Sequence, residues 1–198
     1  MTQKQLIQIE KLVKPLYRRT GRYHSWSHIQ MVKRNALAIA GSYKEVNIIL
    51  LQAAVYLHDI GRVVKSGDHV KESLRRARRI LSKIKADSNE IDLVCEAIAS
   101  HDIRRIHHAN AIEAKILFDA DKLEIATVRG FFRMCAWLVD ELDYPLDKAV
   151  NFVWTNIDRA VKAGLVQTKE ARSIIAKELP LIKKIVERYN SWGKRFSG

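Results

Sequence analysis

The sequence predicts an all-α protein, a bundle of helices in a single domain over residues 1–198. Apolar residues recur at helical spacing through almost the whole chain, which is the pattern of helices with one buried face. Glycine and proline are scarce, with 8 and 3 residues, roughly 6% of the chain where about 12% is usual. So few turn-forming residues exclude loop-rich all-β, collagen-like and low-complexity architectures.

Helical periodicity and rare breaker residues predict the elements of the first half. The first helix covers about 2–18, with Pro15 kinking or ending it. The second begins at Ser25 or Ser27 and ends near residue 40. The third covers about 44–63 and is apolar nearly all round, which is typical of a helix in the middle of a bundle.

A basic helix over about 68–85 comes next, and a capping-box sequence at 87–90 starts a helix that ends near His101. A further buried helix covers about 110–128. The last third is divided by Pro145 and Gly164. Its three predicted helices lie at about 130–142, 146–162 and 168–192.

The net charge is +13, from 35 Lys and Arg against 22 Asp and Glu. Nine basic and two acidic residues lie between Arg62 and Lys85. At 100° per residue, the apolar side chains of the basic helix fall on one arc and its arginines on the opposite arc. This outward face is either merely solvated or a surface that attracts polyanions. Its arginines are Arg75, Arg76, Arg78 and Arg79.

Cellular location is constrained by three features. The longest uncharged apolar run, residues 47–57, is shorter than the roughly 20 residues that span a bilayer. The opening residues carry neither the apolar region nor the cleavage site of a secretory signal. Cys95 and Cys135 stand alone, which indicates neither a disulfide framework nor a thiolate metal site. We expect a cytoplasmic protein with no membrane partner.

The first candidate site is the pair His58 and Asp59, which directly follows the apolar run 53–57. An ionised carboxylate in such surroundings is costly unless it is paired or bound to a metal ion. Adjacent helical residues point about 100° apart, so both side chains can reach one cation. On its own, however, this dipeptide is weak evidence for a metal site, because such a pair more often has a purely structural role.

Two other segments offer metal ligands. His24 and His28 stand four residues apart, and His28 is the better candidate because His24 precedes the predicted helix and is left with a packing or supporting role. Asp119 and Asp121 face opposite ways on their helix. Asp119 has lysines three and four residues away, whereas Asp121 shares its face with apolar residues. Asp121 is therefore the better ligand.

In chain order, His28, His58 with Asp59, and Asp121 resemble the H…HD…D signature of the HD-domain superfamily of metal-dependent phosphohydrolases, closest to its small stand-alone members. The resemblance covers about 20–128 and leaves about 129–198 as a C-terminal helical extension. It implies a helical bundle of the HD-domain type. No Gly-Tyr-Pro triplet occurs, so the cyclic-dinucleotide class is not indicated.

The resemblance also implies a divalent metal ion (Mn²⁺, Mg²⁺, Fe²⁺, Ni²⁺ or Zn²⁺), with a metal-activated water that cleaves a P–O bond. Cations must meet the charge on the phosphoryl oxygens, and further side chains transfer protons or hold a second ion. The implied metal ligands are His28, His58, Asp59 and Asp121. The substrate-binding candidates are Arg62, Lys65 and Lys122, and the catalytic candidates are Asp59, His69, Glu72 and His101. We expect His107 and His108 at the surface.

Two functions follow from these residues. The first is a phosphohydrolase acting on phosphate ester or anhydride bonds of nucleotides or related small phosphorylated compounds. The alternative is a basic helical module that binds nucleic acid and keeps a structural or vestigial metal site. A hybrid, in which the basic face guides a polynucleotide to the metal site, combines the two.

Overall fold

A computed structural model describes residues 1–64, 67–103 and 109–195, with side chains to residue 192. These residues contain nine α-helices and two short 3₁₀ helices but no strand, which confirms the all-α prediction. The 3₁₀ helices are Leu16–Arg19 and Ile60–Val63. The α-helices are α1 (Gln3–Val13), α2 (Trp26–Ala40), α3 (Ile48–Leu57), α4 (His69–Lys83), α5 (Ser88–Ser100), α6 (Ile112–Leu123), α7 (Val128–Leu142), α8 (Leu146–Lys162) and α9 (Lys169–Arg195).

The chain forms two compact units, residues 1–121 and 122–198. The first unit holds α1 to α5 and all but the last two residues of α6. The second unit holds those two residues and α7 to α9. The organisation of residues 1–198 as a single domain stays a prediction.

Helix α3 lies at the centre of the first unit and packs against α1, α2 and α5. Seven of its ten residues are buried, as its uniformly apolar sequence predicts. The Asn47 side chain begins the helix by accepting hydrogen bonds from the backbone N–H groups of Ile49 and Leu50, both at 3.2 Å. Because α3 is enclosed, the residues that directly follow it, His58 and Asp59, are also buried.

The end of α3 differs from the prediction of one helix to residue 63. The helix stops at Leu57, and the chain re-forms as the 3₁₀ helix Ile60–Val63. The buried Tyr17 hydroxyl donates a hydrogen bond to the Tyr56 carbonyl oxygen at 2.9 Å. That carbonyl belongs to the last turn of α3, whose carbonyl oxygens need partners beyond the helix. His58 and Asp59 are therefore placed in a turn and not on a helix.

Glycine at position 61 lets this turn approach α4. A Cβ built on Gly61 would lie 2.1 Å from the His69 carbonyl oxygen and 2.6 Å from the Ser73 backbone nitrogen. The Gly61 N–H donates to the Ser73 hydroxyl at 2.9 Å. The Asp68 side chain caps α4 by accepting from the backbone N–H of Val70 at 2.9 Å. The N-terminus of α4 is thereby held against the turn that contains His58 and Asp59.

The second unit has a core of its own, with Phe131, Leu138, Val153 and Ile182 each 2% exposed or less. Helix α9 continues through Pro180, close to the length predicted from periodicity. Among the described residues, no helix combines the length and apolarity that crossing a membrane requires.

Candidate metal centre

The first unit brings together the four predicted metal ligands. His28 lies in the first turn of α2, His58 and Asp59 follow α3, and Asp121 lies on α6. Asp59 Oδ2 is 3.6 Å from His28 Nε2 and 3.9 Å from His58 Nε2. Asp121 Oδ1 is at the same two distances from these nitrogens, 3.6 and 3.9 Å. Two imidazoles and two carboxylates therefore face one small volume, although their role as ligands stays a prediction.

Hydrogen bonding shows which atoms of this cluster are available. His58 Nδ1 lies 2.9 Å from the Val55 carbonyl oxygen, so Nδ1 carries the proton and the lone pair of Nε2 points into the cluster. Within the described residues, His58 Nε2 and Asp59 Oδ1 are buried without a hydrogen-bond partner. Such atoms are costly to leave unsatisfied. The donor set fits a divalent cation, because imidazole nitrogen and carboxylate oxygen suit several first-row metals.

Asp59 also faces a second group of imidazoles. Its Oδ1 is 3.8 Å from both His69 Nε2 and His101 Nε2. His101 follows α5, and its Nδ1 lies 2.6 Å from the Ile98 carbonyl oxygen, so its Nε2 lone pair also points toward Asp59. Two groups of three residues have ligand atoms close enough to hold an ion, and Asp59 belongs to both. The first group is His28, His58 and Asp59, and the second is Asp59, His69 and His101.

Arg62 supplies the positive charge of the cluster. Its Nε lies 2.8 Å from Asp59 Oδ1, but the two groups are not aligned as a hydrogen bond, and its Nη2 is 3.2 Å from His69 Nε2. Burial raises the pKa of Asp59, but Arg62 and the neighbouring histidines outweigh it and hold that pKa well below its usual range. Asp59 is therefore ionised at neutral pH, as a metal ligand must be.

The imidazoles stay neutral for a different reason. Burial lowers the pKa of His58 and outweighs the opposing effect of Asp59 and Asp121. Burial and the Arg62 charge together lower the pKa of His69. Neutral imidazole is the form that binds a metal ion or accepts a proton.

Glu72 lies one turn after His69 on α4 and makes its contacts with two arginines. Its carboxylate accepts hydrogen bonds from Arg75 Nε at 2.7 Å and from Arg76 Nε at 2.6 Å. The Arg75 hydrogen bond, with help from Arg76, lowers the pKa of Glu72 to about 2. A carboxylate with that pKa carries no proton to donate near pH 7. The catalytic role expected of Glu72 stays a prediction, and its contacts give that role no support.

The other candidates fall in several places. Lys122 follows Asp121 in α6 as the first residue of the second unit. His24 lies beside the cluster, with its ring centroid 5.8 Å from that of His28. Asp119, the carboxylate set aside, is 1% exposed. Lys65, His107 and His108 lie outside the described residues.

Two positioning residues have no counterpart in the sequence analysis. Tyr17 contacts the end of α3 through its hydroxyl. Asn35 donates from Nδ2 to the Ala120 carbonyl oxygen at 3.1 Å, which ties α2 to α6 beside Asp121. Both contacts join residues far apart in sequence, and no local pattern marks either side chain.

Comparison with known proteins identifies the family. The HD domain family model matches residues 25–126, slightly more than half of the chain and all four predicted ligands. The chain therefore belongs to the HD-domain family, whose members bind divalent metal ions, and this membership supports a hydrolase. No curated protein matches the sequence significantly.

Solved structures share the fold over nearly the whole chain. A Lactobacillus plantarum protein has a TM-score of 0.79 at 17% identity, covering 98% of this chain and 99% of its own. Bacillus subtilis YpgQ, solved in complex with ADP, has a TM-score of 0.73 at 21% identity, covering 98% and 96%. An HD-superfamily hydrolase of Bacillus thuringiensis has a TM-score of 0.74 at 20% identity, covering 96% and 98%. At these identities the likeness is one of fold.

Proposed function

We propose that this chain is a metal-dependent phosphohydrolase that cleaves phosphate ester or anhydride bonds of nucleotides or related small phosphorylated compounds. The observation that carries the proposal is the convergence of His28, His58, Asp59 and Asp121 on one small volume, where Asp59 Oδ2 and Asp121 Oδ1 each lie 3.6 Å from His28 Nε2 and 3.9 Å from His58 Nε2. Among the described residues, the buried His58 Nε2 has no hydrogen-bond partner. The ADP bound to YpgQ, a relative in fold, supports the choice of a nucleotide.

The four ligands would hold the ion from three sides of the first unit, His28 from α2, His58 and Asp59 from the turn after α3, and Asp121 from α6. A divalent ion bound there polarises a phosphoryl group and lowers the pKa of water. The neutral His58 imidazole and the ionised Asp59 carboxylate are already in the protonation states that metal binding needs. Little reorganisation is therefore required of the protein.

Arg62, His69 and His101 complete the proposed site on the other side of Asp59. The Arg62 side chain is 30% exposed, so part of its guanidinium can meet a substrate phosphoryl oxygen while Nε stays beside Asp59. His101 Nε2 can accept a proton, because Asp59 Oδ1 lies 3.8 Å away to stabilise the imidazolium. His69 has the same distance to Asp59 and is the second candidate for this role.

The test measures bound metal by elemental mass spectrometry in the wild type and in the His58→Ala and Asp121→Asn variants, and then hydrolysis of a nucleotide panel. We expect one or two bound ions per chain in the wild type and loss of these ions in both variants. We also expect the wild type to hydrolyse a nucleotide in a reaction that chelation abolishes. Asp119→Asn is the matched control: it removes a carboxylate two residues from Asp121 and should retain the ion. Circular dichroism checks that each variant folds. No metal after reconstitution of the wild type, or full retention in both variants, contradicts the proposal.

The nucleic-acid module is the second candidate, and the exposed face of α4 supports it. The side chains of Arg75 and Arg78 are 51% and 57% exposed. Glu72 and Asp92 neutralise part of this charge through ion pairs. This function predicts duplex or RNA binding that weakens steeply with salt and survives Asp121→Asn. The two free, buried cysteines fit the cytoplasmic location that either function assumes.

A further inference from the structure

A cleft in the surface of the first unit lies between α1 and the C-terminal end of α4. It is a shallow cleft open to solvent, with a volume of about 450 Å³. None of its lining residues belongs to the candidate metal centre. The cleft is lined by Gln8, Lys11, Leu12, Lys83, Ile84 and Lys85.

Three ammonium groups border this cleft without acidic partners. Among the described residues, no carboxylate forms an ion pair with Lys11, Lys83 or Lys85. Other cations of the same unit are paired, as Arg76 is with Glu72. Three uncompensated positive charges around one concave surface raise the local concentration of anions.

The apolar residues of the cleft add a second requirement on the ligand. Leu12 is 40% exposed, and it lines the cleft together with Ile84. Apolar side chains beside three lysines suit a ligand that has several negative charges at one end and a flat, weakly polar ring at the other. A nucleoside polyphosphate has this composition, whereas inorganic phosphate has only the charge.

The wall that carries Lys83 and Lys85 is held in place. Gln5 Nε2 donates to the carbonyl oxygens of Ile84 and Lys85, both at 3.2 Å. These bonds tie the end of α4 to α1 before any ligand arrives. Preorganisation of this kind reduces the entropic cost of binding.

Lys85 occupies a position where another residue would be more stable. The N–H of Ala86 donates to the Leu81 carbonyl oxygen and that of Lys85 to the Ser82 carbonyl oxygen, both at 3.0 Å, which is the Schellman motif at the end of α4. Lys85 has a φ of 58°, the left-handed conformation that usually calls for glycine. A strained residue retained at such a position points to a function for its side chain.

We propose that this cleft is a second ligand site, which binds a nucleoside polyphosphate through Lys11, Lys83 and Lys85 and is separate from the metal centre. His69, in the metal centre, is fourteen residues before Lys83 on α4, or about 21 Å along the helix axis. The second site therefore binds its ligand whether or not the metal centre is occupied.

Isothermal titration of the 198-residue chain with ATP, in the presence of EDTA to keep divalent ions from the metal centre, tests this site. We expect ATP to bind more tightly than inorganic triphosphate and adenosine to bind weakly. Lys11→Ala or Lys83→Ala should each weaken ATP binding by about 1.5- to 5-fold, as expected for one exposed charge. The triple variant Lys11→Ala/Lys83→Ala/Lys85→Gly should bind ATP at least about tenfold more weakly than the wild type.

The Lys85→Gly variant distinguishes a loss of ATP binding from a loss of folding stability. It should weaken ATP binding like the other single variants, yet leave the melting temperature unchanged or raise it by about 2–4 °C, because glycine relieves the left-handed strain. The matched control is Lys71→Ala, which removes the same exposed charge twelve residues before Lys83 on the same helix. We expect it to change ATP affinity by less than about 1.5-fold.

Three results would overturn the proposal. The first is the absence of ATP binding in EDTA. The second is a loss in Lys71→Ala equal to that in Lys83→Ala, which would show general attraction to α4. The third is equal affinity for inorganic triphosphate and ATP, which would show that the apolar side chains Leu12 and Ile84 contribute nothing to binding.

Discussion

The two units of the chain bury different kinds of polar group. In the first unit, buried His28, His58, Asp59 and His101 converge on one another. In the second unit, buried Glu124 lies 3.0 Å from the Arg133 guanidinium. Burying several polar side chains together is costly, and the Arg62 guanidinium beside Asp59 leaves the buried His58 Nε2 without a hydrogen-bond partner among the described residues. The first arrangement therefore requires a reason beyond stability, and the contrast supports placing the proposed metal chemistry in residues 1–121.

Among substitutions in the two units, Asp59→Asn should cause the largest loss of bound metal and of hydrolysis. The substitution keeps the size of the side chain but removes the charge shared by both imidazole groups, so we expect loss of bound metal and at least about a 100-fold loss of hydrolysis, more than outer-shell changes typically cost. Elemental mass spectrometry and steady-state kinetics measure the two effects. Asp158→Asn in the second unit, whose carboxylate pairs with exposed Lys162, is the control and should change neither. Metal retained in Asp59→Asn would contradict the assignment.

Tyr17→Phe tests whether the turn after α3 depends on a single hydroxyl. Burial and the Asp59 carboxylate raise the pKa of Tyr17 well above its usual range, so the hydroxyl stays a donor to the Tyr56 carbonyl. Its removal frees the turn that orients His58 and Asp59, and we expect metal affinity to fall about 10- to 100-fold, as for outer-shell partners. Titration of the wild type and the variant with Mn²⁺, Ni²⁺ or Zn²⁺ measures this metal affinity.

The control for Tyr17→Phe lies in the second unit. Tyr189 donates its hydroxyl to Asp147 at the surface, so Tyr189→Phe removes a hydroxyl far from any candidate ligand in the sequence. It should leave metal affinity unchanged. An equal fall in both variants would mean that the Tyr17 hydroxyl has no particular role in orienting the ligands.

Gly61→Ala should destabilise the first unit by about 1–3 kcal/mol or more, because the added methyl group meets backbone atoms that cannot move without separating α4 from the turn. Urea denaturation measures the change in free energy of unfolding. Gly41→Ala is the comparison, since a Cβ there finds only ordinary contacts, the nearest at 3.6 Å. Equal stabilities of the two variants would contradict the close approach at Gly61.

Glu72→Gln should change the free energy of unfolding least among these substitutions. The folded-state pKa of about 2 lies below the usual carboxyl value, so the ion pairs stabilise the protein fully above about pH 4.5 and the gain is lost as the pH falls toward 2. Because Glu72 is at the surface, we expect only a few tenths of a kcal/mol at pH 7. Thermal unfolding at pH 7 and pH 3 should show a smaller difference from the wild type at pH 3. Metal content and activity should be unchanged.

The sequence predicts those features of the site that rest on local chemistry. His58 and Asp59 are recognisable because charge is rare inside an apolar run, and Asp121 because Asp119 has lysines at helical spacing. The end of α3 at Leu57 is not recognisable, because the group that contacts its last turn is Tyr17, 39 residues from Tyr56. Periodicity reports which face of a helix is buried, and it contains no information about a hydrogen bond that arrives from another segment.

The contact of Arg62 with His69 was outside the reach of the pattern, although the ion pair of Arg62 with Asp59 joins residues only three apart. Arg62 was predicted as a substrate-binding residue, whereas the close approach allowed by Gly61 is a tertiary feature that brings the chain beside His69. The helix boundaries differ from prediction by a few residues at most ends. The larger differences are at the ends of three helices. Helix α1 ends at Val13, with Pro15 before a separate 3₁₀ helix, whereas α3 ends at Leu57 and α6 at Leu123, each five or six residues before its predicted end.

The hydrogen bond from Tyr17 to Tyr56 also bears on how the protein can be divided. The family match begins at residue 25, so a fragment cut at that boundary would contain His28, His58, Asp59 and Asp121 yet lack the hydroxyl that contacts the last turn of α3. Such a fragment would have a complete set of ligands on an unsupported turn. We therefore expect a fragment that retains the support of this turn to begin before Tyr17, so the recognisable motif is shorter than the structure that holds its turn in place.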